Sequence, residues 1–118
     1  MVSGKRSYGD LGEDYAVKLL KKKGYTIIER NFRTKFGEID IITREGEYLV
    51  FIEVKTRWSK KFGLPEEAVT LWKLAKIRRV AQYYLITHPN LAQKARIEVV
   101  AIEAARGKVA SSRIIKVD

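Results

Sequence analysis

The chain has 118 residues, a length that predicts one domain spanning residues 1–118, and its 46% apolar and 32% charged residues exclude a disordered chain. It has no cysteine, which excludes disulfides and thiolate metal sites and fits a cytoplasmic protein. Met1–Ser7 is polar, so we expect no secretory signal. The longest apolar run, Tyr48–Ile52, is too short for a membrane segment. The net charge of +10 favours a polyanionic partner, and nucleic acid over an anionic membrane, because we see no isolated basic amphipathic segment.

The first predicted element is a helix over about residues 9–23. Asp10 followed by Glu13 resembles a helix start, where acidic side chains lie near the positive end of the helix dipole. Lys21–Lys23 followed by Gly24 is typical of a helix end. Apolar residues recur between them at helical spacing: Leu11, Tyr15, Ala16, Leu19 and Leu20.

Three strands are predicted next, over residues 25–32, 36–43 and 48–56, with residues 44–47 as the turn before the third. The third strand is apolar on both faces from Tyr48 to Ile52, which indicates a central strand covered on both sides. Its charged residues, Glu53, Lys55 and Arg57, come only at its far end.

A second helix is predicted from Pro65 to about Ile86, with Pro89 beyond its end, followed by strands over residues 96–103 and 113–117. The fold class is therefore α/β, in the order α-β-β-β-α-β-β, with the helices packed on a mixed sheet.

The second and third strands bring three chemically useful side chains to one face. A turn symmetric about Glu45 and Gly46 sets Asp40 opposite Phe51, so that Asp40, Glu53 and Lys55 point to the same side of the sheet. Asp40 and Glu53 are then diagonal neighbours, ~7–8 Å apart between backbones, and can reach one ion. A slip of one residue would send Asp40 to the other face.

Two carboxylates beside an apolar sheet repel each other unless a positive charge lies between them. Mg²⁺ suits such oxygen ligands and keeps several waters, which supply a nucleophile for phosphodiester hydrolysis. Lys55 could orient or deprotonate the attacking water, or stabilise the charged phosphate.

These residues resemble a known nuclease signature. Asp40 followed by Glu53-Val54-Lys55 is similar to the PD-(D/E)xK pattern of restriction-endonuclease-like nucleases, although Ile39 replaces the proline. The chain looks still more like the YraN-like group, UPF0102, over roughly residues 9–85. The blocks that carry this likeness are Gly12-Glu13, Arg30–Arg33, Gly37–Ile42, Val50–Arg57 and Phe62-Gly63.

The resemblance implies a restriction-endonuclease-like core related to archaeal Holliday-junction resolvases. It implies a Mg²⁺-dependent site, with Mn²⁺ as a substitute, in which Asp40 and Glu53 bind the metal, Val54 lends its carbonyl and Lys55 is the catalytic lysine. A glutamate on the first helix completes the site in the resolvases, and Glu13 occupies that place.

Simpler interpretations remain open. Glu53 and Lys55 could form an ordinary ion pair at a strand end, and Glu13 could serve only the helix start. Glu38 shares the face of the site but could instead bind Arg33, and we leave it out as a ligand.

Several basic residues are candidates for phosphate contact. Arg57 extends the site strand, and Lys73, Lys76 and Arg79 recur at spacing three along the second helix, as they would on a solvated helix face. Trp58 and Trp72 are expected to pack rather than to stack on bases.

Two functions follow from this pattern. The first is a metal-dependent endonuclease acting on DNA, including branched or structured DNA, and two symmetric cuts would require a homodimer. The alternative is a non-catalytic nucleic-acid-binding module that retains the nuclease fold. Carboxylates repel phosphate, so a binder has no need of Asp40 and Glu53, and their presence together with Lys55 favours the enzyme.

Overall fold

A computed structural model of the chain describes residues 8–59, 63–91 and 93–117, with side chains described from residue 11 onward. The elements are α1 (Tyr8–Lys22), β1 (Thr26–Thr34), β2 (Gly37–Glu45), β3 (Tyr48–Arg57), a short 3-10 helix (Pro65–Ala68), α2 (Leu71–Thr87), β4 (Lys94–Ala105) and β5 (Lys108–Lys116). Their order confirms the predicted α-β-β-β-α-β-β arrangement. Among the described helices, none is both long and apolar enough to cross a membrane.

The five strands form one mixed sheet in the order β1-β2-β3-β4-β5. β3 and β4 run parallel, and the other neighbours are antiparallel. The middle strand β3 is fully buried from Leu49 to Ile52, as predicted, whereas Tyr48, which the predicted buried run included, is 37% exposed. Ala16 and Leu20 of α1 pack with Ile52, whereas residues of α2 pack with Phe51, so a helix covers each face. The predicted fold class is confirmed.

The β2–β3 hairpin turns one residue later than the symmetric turn predicts, which shifts the residue opposite each position by two. Glu45 pairs with Tyr48, so Gly46 and Glu47 form the turn, and Gly46 adopts a φ of 62° that favours glycine. The pairing ends at Ile41 opposite Ile52, where the predicted register sets Ile41 opposite Val50, and Asp40 lies one residue beyond the paired part. Because side chains alternate with a period of two, this even shift leaves Asp40 on the expected face.

The prediction that α2 begins at Pro65 is wrong. Pro65–Ala68 is a separate 3-10 helix, and α2 starts after Thr70. The Thr70 hydroxyl accepts a hydrogen bond from the Lys73 backbone N–H at 3.2 Å and caps the helix there. β5 is also longer than predicted, because Arg106 and Gly107 close a tight hairpin with β4 in which both residues have positive φ.

Gly12 allows α1 to approach β3 closely. A Cβ atom at this position would overlap the Thr56 hydroxyl oxygen and lie 3.3 Å from the Thr56 Cβ. Glycine in a helix costs about 1 kcal/mol relative to alanine. The close contact explains why glycine occupies this position, directly before Glu13.

We therefore expect Gly12→Ala to destabilise the protein by about 1–3 kcal/mol, because overpacking outweighs the better helix propensity of alanine. Urea unfolding of Gly12→Ala, Thr56→Ala and the double variant would measure the effect. Removing the Thr56 hydroxyl relieves the overlap, so the double variant should recover part of the loss. Two losses that simply add would refute the close contact.

Candidate active site

A cleft of about 490 Å³ lies beneath α2. It is formed by the first residues of β2 and the last residues of β3, beyond the paired part of the hairpin. Both strands and the first half of α2 contribute to it. Its lining includes the three residues predicted from the hairpin, Asp40, Glu53 and Lys55, together with Gly37, Glu38, Val54, Trp72, Lys73, Lys76 and Ile77.

Asp40 is held by the neighbouring strand. The Val54 backbone N–H donates a hydrogen bond to Asp40 Oδ2 at 2.8 Å. Burial, followed by the negative charge of Glu53, raises the pKa of Asp40 to about 7, although the Val54 hydrogen bond acts in the opposite direction. The charge of Glu13 adds to the rise. Asp40 therefore lies in a site where negative charge is poorly compensated.

Glu53 is buried, with 6% of its surface exposed. Lys73 Nζ lies 3.0 Å from Glu53 Oε2. Burial lowers the pKa of Lys73, but the hydrogen bond to Glu53 and the charge of that carboxylate outweigh it, so the pKa is raised. Lys73 therefore remains protonated and compensates the charge of Glu53.

Lys55 has the opposite tendency. Burial, and then the positive charge of Lys73, lower the pKa of Lys55, while Glu53 and Asp40 partly restore it. Lys73 and Lys55 thus differ: Lys73 is fixed as a cation on a carboxylate, and Lys55 is more easily deprotonated. A lysine can take up a proton near neutral pH only if its surroundings lower its pKa in this way.

The donor set of the cleft fits one kind of metal site. Across residues 8–59, 63–91 and 93–117, no group of three or more His, Cys, Asp or Glu side chains could hold a metal ion. Mg²⁺, however, usually binds through one or two carboxylates and takes its other ligands from water and substrate phosphates. Asp40, whose charge is poorly compensated, and Glu53, which also lines the cleft, fit a site of that type, with the Val54 backbone beside them.

Glu13 reaches this region from α1 but is bound to β1. Arg30 NH2 lies 3.0 Å from Glu13 Oε1, and Asn31 Nδ2 donates to the same oxygen at 3.1 Å. Asn31 has a φ of 55°, in the left-handed region that asparagine tolerates better than most residues. Glu13 affects the electrostatics of Asp40, but the residues that line the cleft do not include it.

The basic strip predicted on α2 is not one solvated face. Lys73 turns into the cleft, Lys76 Nζ lies 4.5 Å from the centre of the Trp72 ring, and the Arg79 guanidinium carbon lies 4.1 Å from the centre of the Phe36 ring. Lys73 precedes the buried residues Ile77, Val80 and Tyr84 by four, seven and eleven positions. That helical spacing is the sequence signal that could have placed Lys73 inward.

The expectation that Trp72 is a packing residue is wrong, because 72% of it is exposed and it lies at the rim of the cleft. Glu38 binds Arg33 at 3.0 Å, which is the ion pair expected as an alternative to a role as a ligand. Arg57 lies outside the cleft, beside a smaller cavity lined by Ser59 and Glu103. Its Nε atom is buried with no hydrogen-bond partner among the described residues.

The chain matches the model of a family described as "Uncharacterised protein family UPF0102" over residues 12–102. It is 56% identical over 81 residues to a UPF0102 protein of Caldicellulosiruptor saccharolyticus, covering 69% of each chain. It is also 44% identical over 117 residues to a UPF0102 protein of Moorella thermoacetica, covering 98% of each.

Among solved structures, the chain is similar to one described as "Structure of EndoMS-dsDNA2 complex", with a TM-score of 0.40 and 14% sequence identity. The alignment covers 92% of this chain and 42% of that one. The chain therefore spans less than half of the length of that protein.

Proposed function

We propose that this chain, which belongs to the uncharacterised protein family UPF0102, is a metal-dependent nuclease that hydrolyses phosphodiester bonds of DNA. The observation that carries the proposal is the pair of Asp40 and Glu53 in one cleft with Lys55, with the pKa of Asp40 raised to about 7 by burial and by Glu53. Strongly perturbed carboxylates of this kind cluster at functional sites.

Asp40 and Glu53 would hold the cation, and the Val54 carbonyl would be a further ligand. Glu13 would act on the site through its charge. When bound, a divalent cation supplies positive charge that stabilises a phosphate under attack. The Val54 N–H keeps the Asp40 carboxylate oriented toward the cleft. A geometry set before substrate arrives lowers the cost of reaching the transition state.

Lys55 is the residue proposed to act on the attacking water. Its lowered pKa makes its neutral form more accessible than that of a solvated lysine. As a base, Lys55 Nζ would take a proton from water as the water oxygen bonds to phosphorus; the P–O bond to the leaving strand end breaks, and the leaving oxygen takes a proton from solvent. As a cation, Lys55 would instead stabilise the charge of the phosphate. Lys73 remains protonated and prevents Glu53 from adding uncompensated charge next to the phosphate.

DNA is the proposed substrate because of the charge around the cleft. The chain carries +10, and α2, which forms one wall of the cleft, contains Lys and Arg but no Asp or Glu. Cations near the phosphates release condensed counterions and supply most of the affinity for nucleic acid. Arg57 is a further proposed phosphate contact, although it lies outside the cleft.

The test is cleavage of labelled duplex, flap, fork and four-way-junction DNA in Mg²⁺, Mn²⁺ or EDTA. We expect products in Mg²⁺ or Mn²⁺ and none in EDTA. Paired, symmetric cuts in a junction would support a homodimer. Products that form equally in EDTA, or no products from any substrate, would refute the proposal.

A specific observation favours a second candidate, a non-cleaving nucleic-acid-binding module. Lys73 Nζ already lies on Glu53 at 3.0 Å, so the site carries a cation of its own. Titration calorimetry with Mg²⁺ or Mn²⁺ distinguishes the two candidates. If the protein is a nuclease, the wild type should bind the ion and Asp40→Asn should not. If it is a binding module stabilised by Lys73, neither protein should bind the ion.

A further inference from the structure

Aromatic and basic side chains alternate along α2, starting at the cleft. We name Trp72, Lys76, Arg79, Phe36 and Tyr83 the aromatic–basic track. Lys76 Nζ lies 4.5 Å from the centre of the Trp72 ring, the Arg79 guanidinium carbon 4.1 Å from that of Phe36, and the rings of Phe36 and Tyr83 are 6.1 Å apart. Lys76 and Arg79 are three positions apart on α2, so the two groups are neighbours on one face of the helix, although Phe36 comes from the turn before β2.

The two ends of the track are open. Trp72 is 72% exposed and Tyr83 is 43% exposed, so part of the surface of each ring is accessible to a ligand. Trp72 also lines the cleft that contains Asp40 and Glu53. An exposed indole leaves a large apolar surface in contact with water, which is unfavourable. At the rim, Trp72 lies where a ligand that enters the cleft would pass.

The charge of α2 determines which partner fits the track. The helix carries four cations, Lys73, Lys76, Arg78 and Arg79, and no acidic residue. A second copy that docked through the track would bring Lys76 and Arg79 against the same two cations, which disfavours a symmetric dimer on this surface. A polyanion with flat, stackable groups complements both features.

Such a polyanion must expose the faces of its bases. Base faces in a continuous duplex are stacked on one another, whereas single-stranded nucleic acid can stack its bases on aromatic side chains. Tyr83 lies eleven positions after Trp72, which corresponds to roughly 16 Å of helix. That length corresponds to about five nucleotides at the ~3.4 Å rise of a stacked strand.

We propose that the aromatic–basic track binds a single-stranded DNA segment and leads it into the cleft. The substrate class is then DNA with a single-stranded segment beside the bond that is cut, such as a flap, a fork or a tailed duplex. The cleavage part of this inference rests on the proposed nuclease function, whereas the binding part does not.

Binding would be measured first, in EDTA, by fluorescence anisotropy with a labelled single-stranded oligonucleotide and a blunt duplex of the same length. We expect Trp72→Ala to weaken single-strand binding by about 5- to 100-fold, the range caused by loss of one base–aromatic stack, and Trp72→Phe to retain most of it. Duplex binding should change much less.

Leu71→Ala and Ile86→Ala are the matched controls. Both residues lie on α2, are 83% and 77% exposed, and belong neither to the cleft nor to the track. They should leave single-strand affinity unchanged. Equal losses in Trp72→Ala and Leu71→Ala, unchanged affinity in Trp72→Ala, or a concentration-dependent dimer disrupted by Leu71→Ala would overturn the proposal. Trp72-dependent binding that is tighter for RNA than for DNA of the same sequence would also overturn it.

Cleavage then separates this inference from the proposed function. If the wild type cuts tailed DNA faster than blunt duplex and Trp72→Ala abolishes that preference, both stand. If the wild type and Trp72→Ala cut tailed DNA equally well, the nuclease stands and the track is refuted. If nothing is cut but single-strand binding depends on Trp72, the track stands as a binding surface and the nuclease is refuted.

Discussion

Asp40→Asn is expected to lower metal-dependent DNA cleavage by about 10²- to 10⁴-fold, the range that one positioned catalytic or electrostatic group supplies. Asparagine keeps the shape of the side chain and can still accept the Val54 N–H, but it has no charge with which to hold a cation. Binding of DNA in EDTA should be retained or slightly stronger, because a carboxylate that repels phosphate is gone. Single-turnover cleavage and anisotropy on the same preparations would measure both quantities.

Lys55→Ala should give a loss of similar size, while Glu38→Gln serves as the control. Glu38 also lines the cleft, but it is exposed and paired with Arg33, so its variant should cut at nearly the rate of the wild type. An equal loss in Glu38→Gln would mean that any cleft carboxylate matters through its general charge. Full activity in Asp40→Asn would remove Asp40 from the proposed site.

Asp40→Asn is also expected to stabilise the fold near pH 8. The folded-state pKa of Asp40 is about 7, against 3.8 for a free aspartate. Between these values the unfolded chain releases the proton and the folded chain keeps it. Stability from neutral Asp40 is therefore fully present below about pH 4 and lost as the pH rises through about 7, a loss on the order of 2–4 kcal/mol.

The difference in unfolding free energy between Asp40→Asn and the wild type should thus be small near pH 4 and favour the variant near pH 8. Urea unfolding at a series of pH values measures it. Asp14→Asn is the matched control: it breaks an exposed ion pair with Arg30, 2.9 Å long, and should destabilise slightly at neutral pH. A pH-independent difference, or a less stable Asp40→Asn at pH 8, would contradict the raised pKa.

Added Mg²⁺ should reverse this cost in the wild type. A cation that binds only the folded state raises the free energy of unfolding by RT ln(1 + [L]/Kd), where [L] is the free cation concentration. The midpoint of unfolding at pH 8 should therefore rise with Mg²⁺ concentration in the wild type and not in Asp40→Asn. Equal responses in the two proteins would place the cation elsewhere.

The sequence by itself determined the architecture and the face of the site. The apolar run Leu49–Ile52 is buried on both sides only in a central strand, and that is where β3 lies. Asp40, Glu53 and Lys55 meet in one cleft even though the predicted turn was misplaced by one residue and the pairing register therefore by two. Strand alternation has a period of two, so an even error in register preserves the face.

Only the tertiary structure decided what surrounds those three residues. Lys73 binds Glu53, Arg30 binds Glu13, Gly12 packs on Thr56, and Trp72 remains open to solvent. Each of these three pairs joins two different elements, whereas helical or strand periodicity describes one element at a time. Which side of a helix meets which strand depends on how two helices pack against a twisted sheet, and that packing is set by the whole core.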